Sequence, residues 1–253
     1  MIKLISEEWT IENIETVLLD KDGTFIDLHY FWGKMTELRA QQVIKAFGMQ
    51  PTIAPKLCEI LGYDVNTQKM LPDGITALYS RIKIIEIFKV QLETFGVHTT
   101  KEYIEKIFDE VSVTLYKEMG KYTKPIYEAI DFIKDLRKKG IKIGIVTSDS
   151  VVSTELAIQI FSWESLFDIS IGRESSEHTK ESGIPTKLAL EALNANPKTT
   201  IMIGDAPTDF ISAKNAGIDK TILVATGQVS FEELSKTSPY VLKSLKDLKC
   251  LMI

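Results

Sequence analysis

The sequence predicts an α/β protein in which a helical domain is inserted into a parallel-sheet core. Beyond residue 124, short apolar runs alternate with helical patterns, as strands and helices do around a parallel sheet. One further apolar run, 17–19, lies near the N-terminus, and helical periodicity fills about 95 residues between it and the others. Because this first strand must join the later ones, we expect a core of residues 1–27 and 123–253 and an inserted domain of residues 28–122.

Residues 17–24 have the sequence VLLDKDGT, which brings two carboxylates into a glycine turn. The apolar run is too short for a helix and indicates a buried parallel strand. Side chains two residues apart point the same way on extended backbone, so Asp20 and Asp22 are expected to converge, and Lys21 to face away from both in a structural or solvent-facing role. Two such carboxylates repel, so either a divalent cation neutralises them or one holds its proton. The alternative is a metal-free turn in which Asp22 and Gly23 merely reverse the chain.

Four helical segments are predicted in the inserted domain, where they form a small bundle. These segments are 31–47, 53–61, 75–95 and 101–119. The third carries an apolar stripe at three- and four-residue steps, made by Ile82, Ile85, Phe88, Leu92 and Phe95. The crossings between this domain and the core, near 25–28 and 120–124, are either hinges or ordinary loops.

The later part of the core is predicted to alternate strands with helices. The predicted strands are 141–147, 166–171, 199–205, 222–226 and 240–242. The predicted helices are 125–139, 151–161, 184–193, 208–216 and 231–235. Pro125 suits a first helical turn, and Gly140 and Gly217 end the helices that precede them.

Three of the apolar runs end in small polar or acidic residues, namely Asp20, Thr147 and Asp205. The carboxyl ends of parallel strands share one edge of a sheet, so these residues can meet there. Asp209 adds a second acid just after Asp205, and together with Asp20 they supply the hard oxygen ligands that Mg²⁺ prefers. Taken singly, Thr147, Asp205 and Asp209 would each more often be turn or N-cap residues.

Composition and charge exclude several classes of protein. A hydrophobic content of 44% and a charged content of 26% are ordinary for a soluble globular protein, and no apolar run approaches the ~18 residues of a membrane span. The net charge of −5 opposes nonspecific attraction to nucleic acid. The short apolar start predicts no secretory signal, and Cys58 and Cys250 have the spacing of neither a disulfide framework nor a metal site. We therefore expect a cytoplasmic monomer or homodimer that binds neither nucleic acid nor a membrane.

Four motifs follow one another along the core. They are Asp20-Lys-Asp-Gly-Thr24, Val146-Thr-Ser148, a lysine before a helix, and Gly204-Asp-Ala-Pro-Thr-Asp209. Their order and spacing resemble the haloacid dehalogenase-like (HAD) hydrolase superfamily, and the helical insertion lies where subclass I members carry a C1 cap. The closing stretch, with Thr226-Gly227 and Phe231-Glu-Glu-Leu234, is similar to phosphoglycolate-phosphatase-like members. The resemblance implies a Rossmann-like parallel-sheet core (HAD-like) with an inserted α-helical cap domain that closes over the substrate.

The resemblance also implies roles for the acidic residues. Asp20 would attack phosphorus and become an aspartyl phosphate, and Asp22 would protonate the leaving oxygen and afterwards activate water. Mg²⁺ would be held by the Asp20 carboxylate, the main-chain carbonyl of Asp22 and Asp205, with Asp209 assisting through water. Acid at position 22 favours an alkoxide leaving group, and therefore phosphate ester cleavage over dehalogenation, because halide leaves unprotonated.

Binding of the phosphoryl oxygens would fall to Thr147, its neighbour Ser148 and a lysine. The usual Lys-Pro-x-Pro of the family is not kept, since residues 179–187 have the sequence TKESGIPTK. Lys180 lies at the distance from the last motif expected of related members, whereas Lys187 is inside the predicted helix, so Lys180 is the first choice and Lys187 the second. In the cap, Arg81 is a candidate for binding a second anionic group of the substrate, with an ordinary surface role as the alternative.

The sequence thus predicts a Mg²⁺-dependent phosphatase of a small phosphorylated metabolite. A phosphoglycolate-like compound or a sugar phosphate is the substrate that the resemblance suggests. Two alternatives stay open: a phosphomutase of the β-phosphoglucomutase type, and a non-catalytic binding module on the same fold.

Overall fold

The computed structural model describes all 253 residues, which divide into two compact units, residues 1–27 with 125–253 and residues 28–124. The second crossing between the units lies two residues later than the expected boundary. The strands, in chain order, are β1 (Ile2–Ile5), β2 (Thr10–Ile14), β3 (Thr16–Leu19), β4 (Tyr63–Asp64), β5 (Lys69–Met70), β6 (Lys142–Val146), β7 (Ile169–Ile171), β8 (Thr200–Gly204), β9 (Lys220–Val224), β10 (Val241–Leu242) and β11 (Lys249–Met252). The helices are α1 (Leu28–Phe47), α2 (Ala54–Ile60), α3 (Ile75–Leu78), α4 (Arg81–Glu93), α5 (Lys101–Lys117), α6 (Met119–Tyr122), α7 (Tyr127–Lys138), α8 (Val151–Ile160), α9 (Ile184–Ala192), α10 (Pro207–Asn215) and α11 (Phe231–Leu234). None of them combines the length and the apolar character that crossing a membrane requires.

The first unit is built on a six-stranded, wholly parallel sheet in the order β10-β9-β8-β3-β6-β7. The fold class predicted from the sequence is confirmed, and the first strand joins the later ones. In this sheet β3 lies between β6 and β8, with Leu19 opposite Ile145 on one side and Ile203 on the other. The chain continues outward from β6 to β7 and, in the other direction, from β8 to β10, so the winding reverses at β3. Ligands bind at such a reversal, beyond the carboxyl ends of the strands.

Helices α7 to α10 connect the strands, and their apolar sides form the core with the sheet. Leu18 of β3, Met202 of β8 and Ala213 of α10 are fully buried in one cluster. Local capping sets the helix starts: the Ser150 hydroxyl accepts the N–H of Ser153 at 3.0 Å and begins α8. Helices α8 and α10 begin within a few residues of the ends of β6 and β8, which keeps the connecting loops short at the carboxyl edge of the sheet.

The second unit is a helical bundle with one short hairpin, β4 paired with β5. Its core contains Val43 of α1, Leu57 of α2, Phe88 of α4 and Phe108 of α5, with the two phenylalanine ring centroids 5.8 Å apart. The hairpin was not expected from the sequence, because its strands are only two residues long.

The predicted helix 75–95 is two helices, α3 and α4, so that prediction is wrong. Tyr79 is extended, and the Ser80 side chain accepts the N–H of Lys83 at 3.5 Å, which starts a new helix at residue 81. Ile82 then lies in the first turn of α4 and is 71% exposed, outside the stripe assigned to it. In its place Ile84 is buried beside Ile85.

A second sheet, antiparallel and in the order β11-β1-β2, lies in the first unit and was also not expected. Ile2 and Leu4 of β1 are fully buried, as are Ile11 and Ile14 of β2 to within a few per cent. The alternation of Ile2 and Leu4 with Lys3 is the signal that could have found it. A single four-residue run is too short to establish a strand without its partner, which here lies at the opposite end of the chain.

Candidate active site

Asp20, Thr147 and Asp205 follow the carboxyl ends of three neighbouring strands, β3, β6 and β8. The ladder continues one residue beyond the strands: the Asp20 N–H donates to the Ile203 carbonyl and the Thr147 N–H to the Ile171 carbonyl, both at 2.9 Å. All three side chains belong to residues that are buried. The structure therefore brings these three predicted residues to one edge of the sheet.

A buried cluster of charge forms at this edge from Asp20, Asp205, Asp209 and Lys180. One carboxylate oxygen from each of the three acids lies within 4.8 Å of the others. The Lys180 ammonium lies 2.6 Å from Asp20 Oδ1 and 2.5 Å from Asp209 Oδ1. The other Asp209 oxygen, Oδ2, accepts the Ala206 N–H at 3.0 Å, so this carboxylate also caps α10. Lys187, the second choice for the phosphate-binding lysine, is exposed on α9.

Burial decides the protonation of this cluster. It raises the pKa of Asp20 to about 6, since the Lys180 ammonium offsets the loss of hydration only in part and the Asp209 carboxylate adds to it. The pKa of Asp205 lies well above its usual range, first through burial and then through the charges of Asp20 and Asp209. Burial lowers the pKa of Lys180, but the attraction of Asp20 and Asp209 outweighs it and raises that pKa, so the amine is an ammonium.

The cluster fits a hard divalent cation. Three carboxylates and one ammonium leave a formal charge of −2 when all are ionised, and the ion pairs of Lys180 are with Asp20 and Asp209 rather than with Asp205. A Cβ atom built on Gly23 or on Gly227 would overlap the Asp205 carboxylate, so both positions need glycine where they approach it. Thr226 fixes this approach, because its hydroxyl donates to the Gly23 carbonyl at 2.5 Å. Oxygen ligands of this kind suit Mg²⁺.

Gly227→Ala is expected to weaken Mg²⁺ binding about 10- to 100-fold, because the added methyl group must displace the Asp205 carboxylate. Calorimetric titration of the metal-free protein with Mg²⁺ measures this affinity. Gly140→Ala is the control: its φ of +72° makes alanine unfavourable by about 1–2 kcal/mol, but its new Cβ would meet nothing within 4 Å. That variant should lose stability and keep its Mg²⁺ affinity. Equal affinities in the wild type and Gly227→Ala would contradict the assignment of Asp205 as a ligand.

Lys21 does not face away from both acids, so that expectation is wrong. Its side chain is fully buried, with the ammonium 2.6 Å from Asp22 Oδ1 and 2.9 Å from Asp149 Oδ2. The reason is that β3 ends at Leu19, and the Lys21 carbonyl accepts the N–H groups of residues 24–26 in a tight turn, so the alternation of a strand no longer applies. Burial raises the pKa of Asp22 to about 6, although Lys21 opposes the shift.

Asp149 is a buried charged residue at this edge that the sequence reasoning missed. Its N–H donates to the Thr147 hydroxyl oxygen at 3.1 Å, and its Oδ1 accepts the Ser150 N–H at 2.7 Å. Burial raises the pKa of Asp149, but the Lys21 ammonium and hydrogen bonds from Ser153 and Ser150 together outweigh this, so the pKa lies below its usual range. The signal that could have found it is Lys21 itself, because a buried ammonium requires nearby anions. Ser148, which lies between Thr147 and Asp149, is exposed.

Arg81 lies in the second unit, at the first residue of α4. Its guanidinium is 2.5 Å from the Asp109 carboxylate of α5, and both side chains are partly exposed. This ion pair joins two helices of the bundle. The role of Arg81 towards a substrate stays a prediction.

The chain matches known proteins over most of its length. The family model for haloacid dehalogenase-like hydrolases matches residues 65–224. A pyrophosphatase PpaX of Halalkalibacterium halodurans is 30% identical over 171 residues, 67% of this chain and 79% of that protein. A phosphoglycolate phosphatase of Aquifex aeolicus is 25% identical over 239 residues, 94% of this chain and 97% of that protein. The crystal structure of a HAD-superfamily hydrolase, subfamily IA, of Geobacter sulfurreducens superposes with a TM-score of 0.63 at 16% identity, covering 93% of this chain and 94% of that one.

Proposed function

The chain belongs to the haloacid dehalogenase-like hydrolase family, and we propose that it is a Mg²⁺-dependent phosphatase that releases phosphate from a small phosphorylated metabolite. The observation that carries this proposal is the buried cluster in which Asp20 lies beside Asp205, Asp209 and the ammonium of Lys180. A nucleophilic carboxylate, a site for a divalent cation and a fixed positive charge are what transfer of an anionic phosphoryl group requires.

In the first step, an Asp20 carboxylate oxygen attacks phosphorus in line with the leaving oxygen. The new bond joins Asp20 to phosphorus as an aspartyl phosphate, and the bond from phosphorus to the leaving oxygen breaks with its electron pair. Asp22 gives its proton to that oxygen, so the product departs as an alcohol. A pKa of Asp22 near 6 keeps part of this group protonated close to neutral pH, which supports the assignment.

In the second step, the now ionised Asp22 takes a proton from water, and the water oxygen attacks the aspartyl phosphate at phosphorus. The bond between phosphorus and Asp20 breaks, which regenerates the carboxylate and releases phosphate. Lys180 and Thr147 bind the phosphoryl oxygens in both steps, since the Thr147 hydroxyl oxygen accepts from Asp149 and its proton remains to donate. Asp20, Asp205 and the Asp22 main-chain carbonyl would hold Mg²⁺, with Asp209 assisting through water, and the ion would neutralise the charge of the phosphoryl group.

The substrate that we propose is phosphoglycolate-like or a sugar phosphate. The two relatives carry different names, a pyrophosphatase and a phosphoglycolate phosphatase, and either chemistry fits a nucleophile of this kind. Both leaving groups depart through oxygen and need a proton or a charge partner at that atom. A substrate panel must therefore include inorganic pyrophosphate beside small phosphate monoesters.

We expect the purified protein to release phosphate in a Mg²⁺-dependent manner from at least one member of a panel of phosphoglycolate, sugar phosphates, pyrophosphate and p-nitrophenyl phosphate. Released phosphate is measured with Mg²⁺ and with excess EDTA. Isomerisation of a sugar 1-phosphate without phosphate release would instead identify a phosphomutase. Tight binding of a panel member with no turnover would identify a binding module and overturn the proposal.

A further inference from the structure

A second buried group of charges, formed by Lys21, Asp22 and Asp149, lies beside the buried cluster of Asp20, Asp205, Asp209 and Lys180. Lys21 is fully buried, and the exposed fractions of the Asp22 and Asp149 side chains are 11% and 6%. A buried ammonium is unfavourable unless anions satisfy it at close range, and here two carboxylates do so at 2.6 and 2.9 Å. The proposed chemistry uses Asp22 alone, which leaves Lys21 and Asp149 without an assigned purpose.

Hydrogen bonds to three other residues hold Asp149 in place. Its N–H donates to Thr147, its Oδ1 accepts the Ser150 N–H, and its carbonyl accepts the Arg173 N–H at 2.8 Å. A Cβ atom on Gly172 would come within 2.9 Å of the Asp149 carbonyl oxygen, so the chain approaches this residue closely from a second loop. The remaining oxygen, Oδ2, therefore has a defined position, and Lys21 is bound to it.

Lys21 is held at its other end as well. Its main-chain carbonyl accepts the N–H groups of Thr24, Phe25 and Ile26 at 3.1 to 3.3 Å, which closes the turn that follows β3. With the backbone fixed by this turn and the ammonium fixed by Asp149, the side chain has little freedom. Asp22 Oδ1, at 2.6 Å from that ammonium, is thereby held in one orientation.

We propose that Lys21 and Asp149 are positioning residues that orient the Asp22 carboxyl group for proton exchange with the leaving oxygen. The inference rests on the proposed function, in which Asp22 is the acid. General acid catalysis demands hydrogen-bond geometry between the acid and the atom that it protonates, and contributes about 10²- to 10⁴-fold to the rate. Neither positioning residue touches the substrate in this scheme. They act on the rate through the orientation of Asp22.

The test compares two leaving groups in the full chain with Mg²⁺. p-Nitrophenolate departs as an anion without a proton, whereas an alkoxide needs one, so only the second reaction depends on a well-oriented acid. The substrates are p-nitrophenyl phosphate and the alkyl phosphate monoester that the wild type hydrolyses fastest, and the quantity is kcat/KM, which includes departure of the leaving group. We expect Asp149→Asn and Lys21→Met to lower kcat/KM for the alkyl ester about tenfold or more, and for p-nitrophenyl phosphate less than about threefold.

Reference variants separate the outcomes. Asp22→Asn shows how loss of the acid itself changes kcat/KM for the two substrates. Asp168→Asn, which breaks an ion pair with Arg137 elsewhere in the same unit, shows the change expected from a purely structural loss. When Asp22 is ionised, Asp149→Asn leaves Lys21 paired with it, so we expect this variant to fold even if Lys21→Met does not. An equal loss on both substrates, as expected of Asp168→Asn, would overturn the positioning role while the phosphatase stands. A wild type that releases phosphate from no member of the substrate panel would overturn the proposed function instead.

Discussion

Asp20→Asn is expected to abolish phosphate release, lowering kcat by at least about 10³-fold. The amide oxygen carries no negative charge and does not form an acyl phosphate by attack on phosphorus. The substitution also removes the partner that lies 2.6 Å from the Lys180 ammonium. The variant should still fold, because Asn has nearly the same shape and burial already disfavours the charge of Asp20, as its pKa of about 6 indicates.

Two measurements check this expectation. Released phosphate gives kcat, and the intact mass of protein quenched during turnover shows whether a phosphoryl group is attached. The wild type should gain that mass and Asp20→Asn should not. Asp219→Asn is the matched control, because Asp219 is exposed and pairs only with Lys198 at 2.8 Å, so its activity should equal that of the wild type. Activity of Asp20→Asn within tenfold of the wild type would show that another residue is the nucleophile.

The sheet and the meeting of its strand ends could be predicted from sequence because they depend on local patterns. The apolar run 17–19 and those of β6 and β8 are buried on both faces, as continuous apolar strands in parallel sheets are. Once the strands are parallel, their carboxyl ends share an edge, so Asp20 and Asp205 are expected at the same edge of the sheet. Their contact depends on strand order, which the local patterns do not give. That order places β3 between β6 and β8 and so brings the two residues together.

Other features depend on contacts between distant segments, which local patterns do not reveal. The turn after β3 rotates Lys21 towards Asp22, and its counter-charge Asp149 lies more than a hundred residues away. β1 pairs with β11 from the opposite end of the chain. The break between α3 and α4 is local, but the apolar periodicity on both sides of Ser80 hides the capping role of its hydroxyl. The errors therefore concern the partners of residues more than the type of element.

Asp205→Asn is expected to stabilise the metal-free protein while it removes the response to Mg²⁺. Burial and the charges of Asp20 and Asp209 hold the pKa of Asp205 well above its usual range, so the ionised group is unfavourable in the folded state when no cation is bound. At neutral pH a neutral amide relieves that repulsion. The thermal midpoint in EDTA should rise by at least about 3 °C, the shift that ~1 kcal/mol produces in a protein of this size.

In Mg²⁺ the wild type should have a higher thermal midpoint than Asp205→Asn, the reverse of their order in EDTA. At 100 times its Kd, a cation that binds only the folded state stabilises it by about 2.7 kcal/mol, and the wild type gains this whereas Asp205→Asn does not. Scanning calorimetry with EDTA and with Mg²⁺ measures both effects, and phosphate release should fall about 10²-fold or more in the variant.

Asp168→Asn is the control, and its thermal midpoint in EDTA should change in the opposite direction. It loses the paired N–H···O bonds of 2.8 and 2.6 Å from Arg137, so its midpoint should fall in EDTA while its stabilisation by Mg²⁺ persists. An Asp205→Asn protein that Mg²⁺ stabilises as strongly as the wild type would exclude Asp205 as a ligand. The repulsion among the carboxylates that destabilises the metal-free protein also favours binding of the cation, because the bound cation removes that repulsion, so stability is exchanged for a functional site.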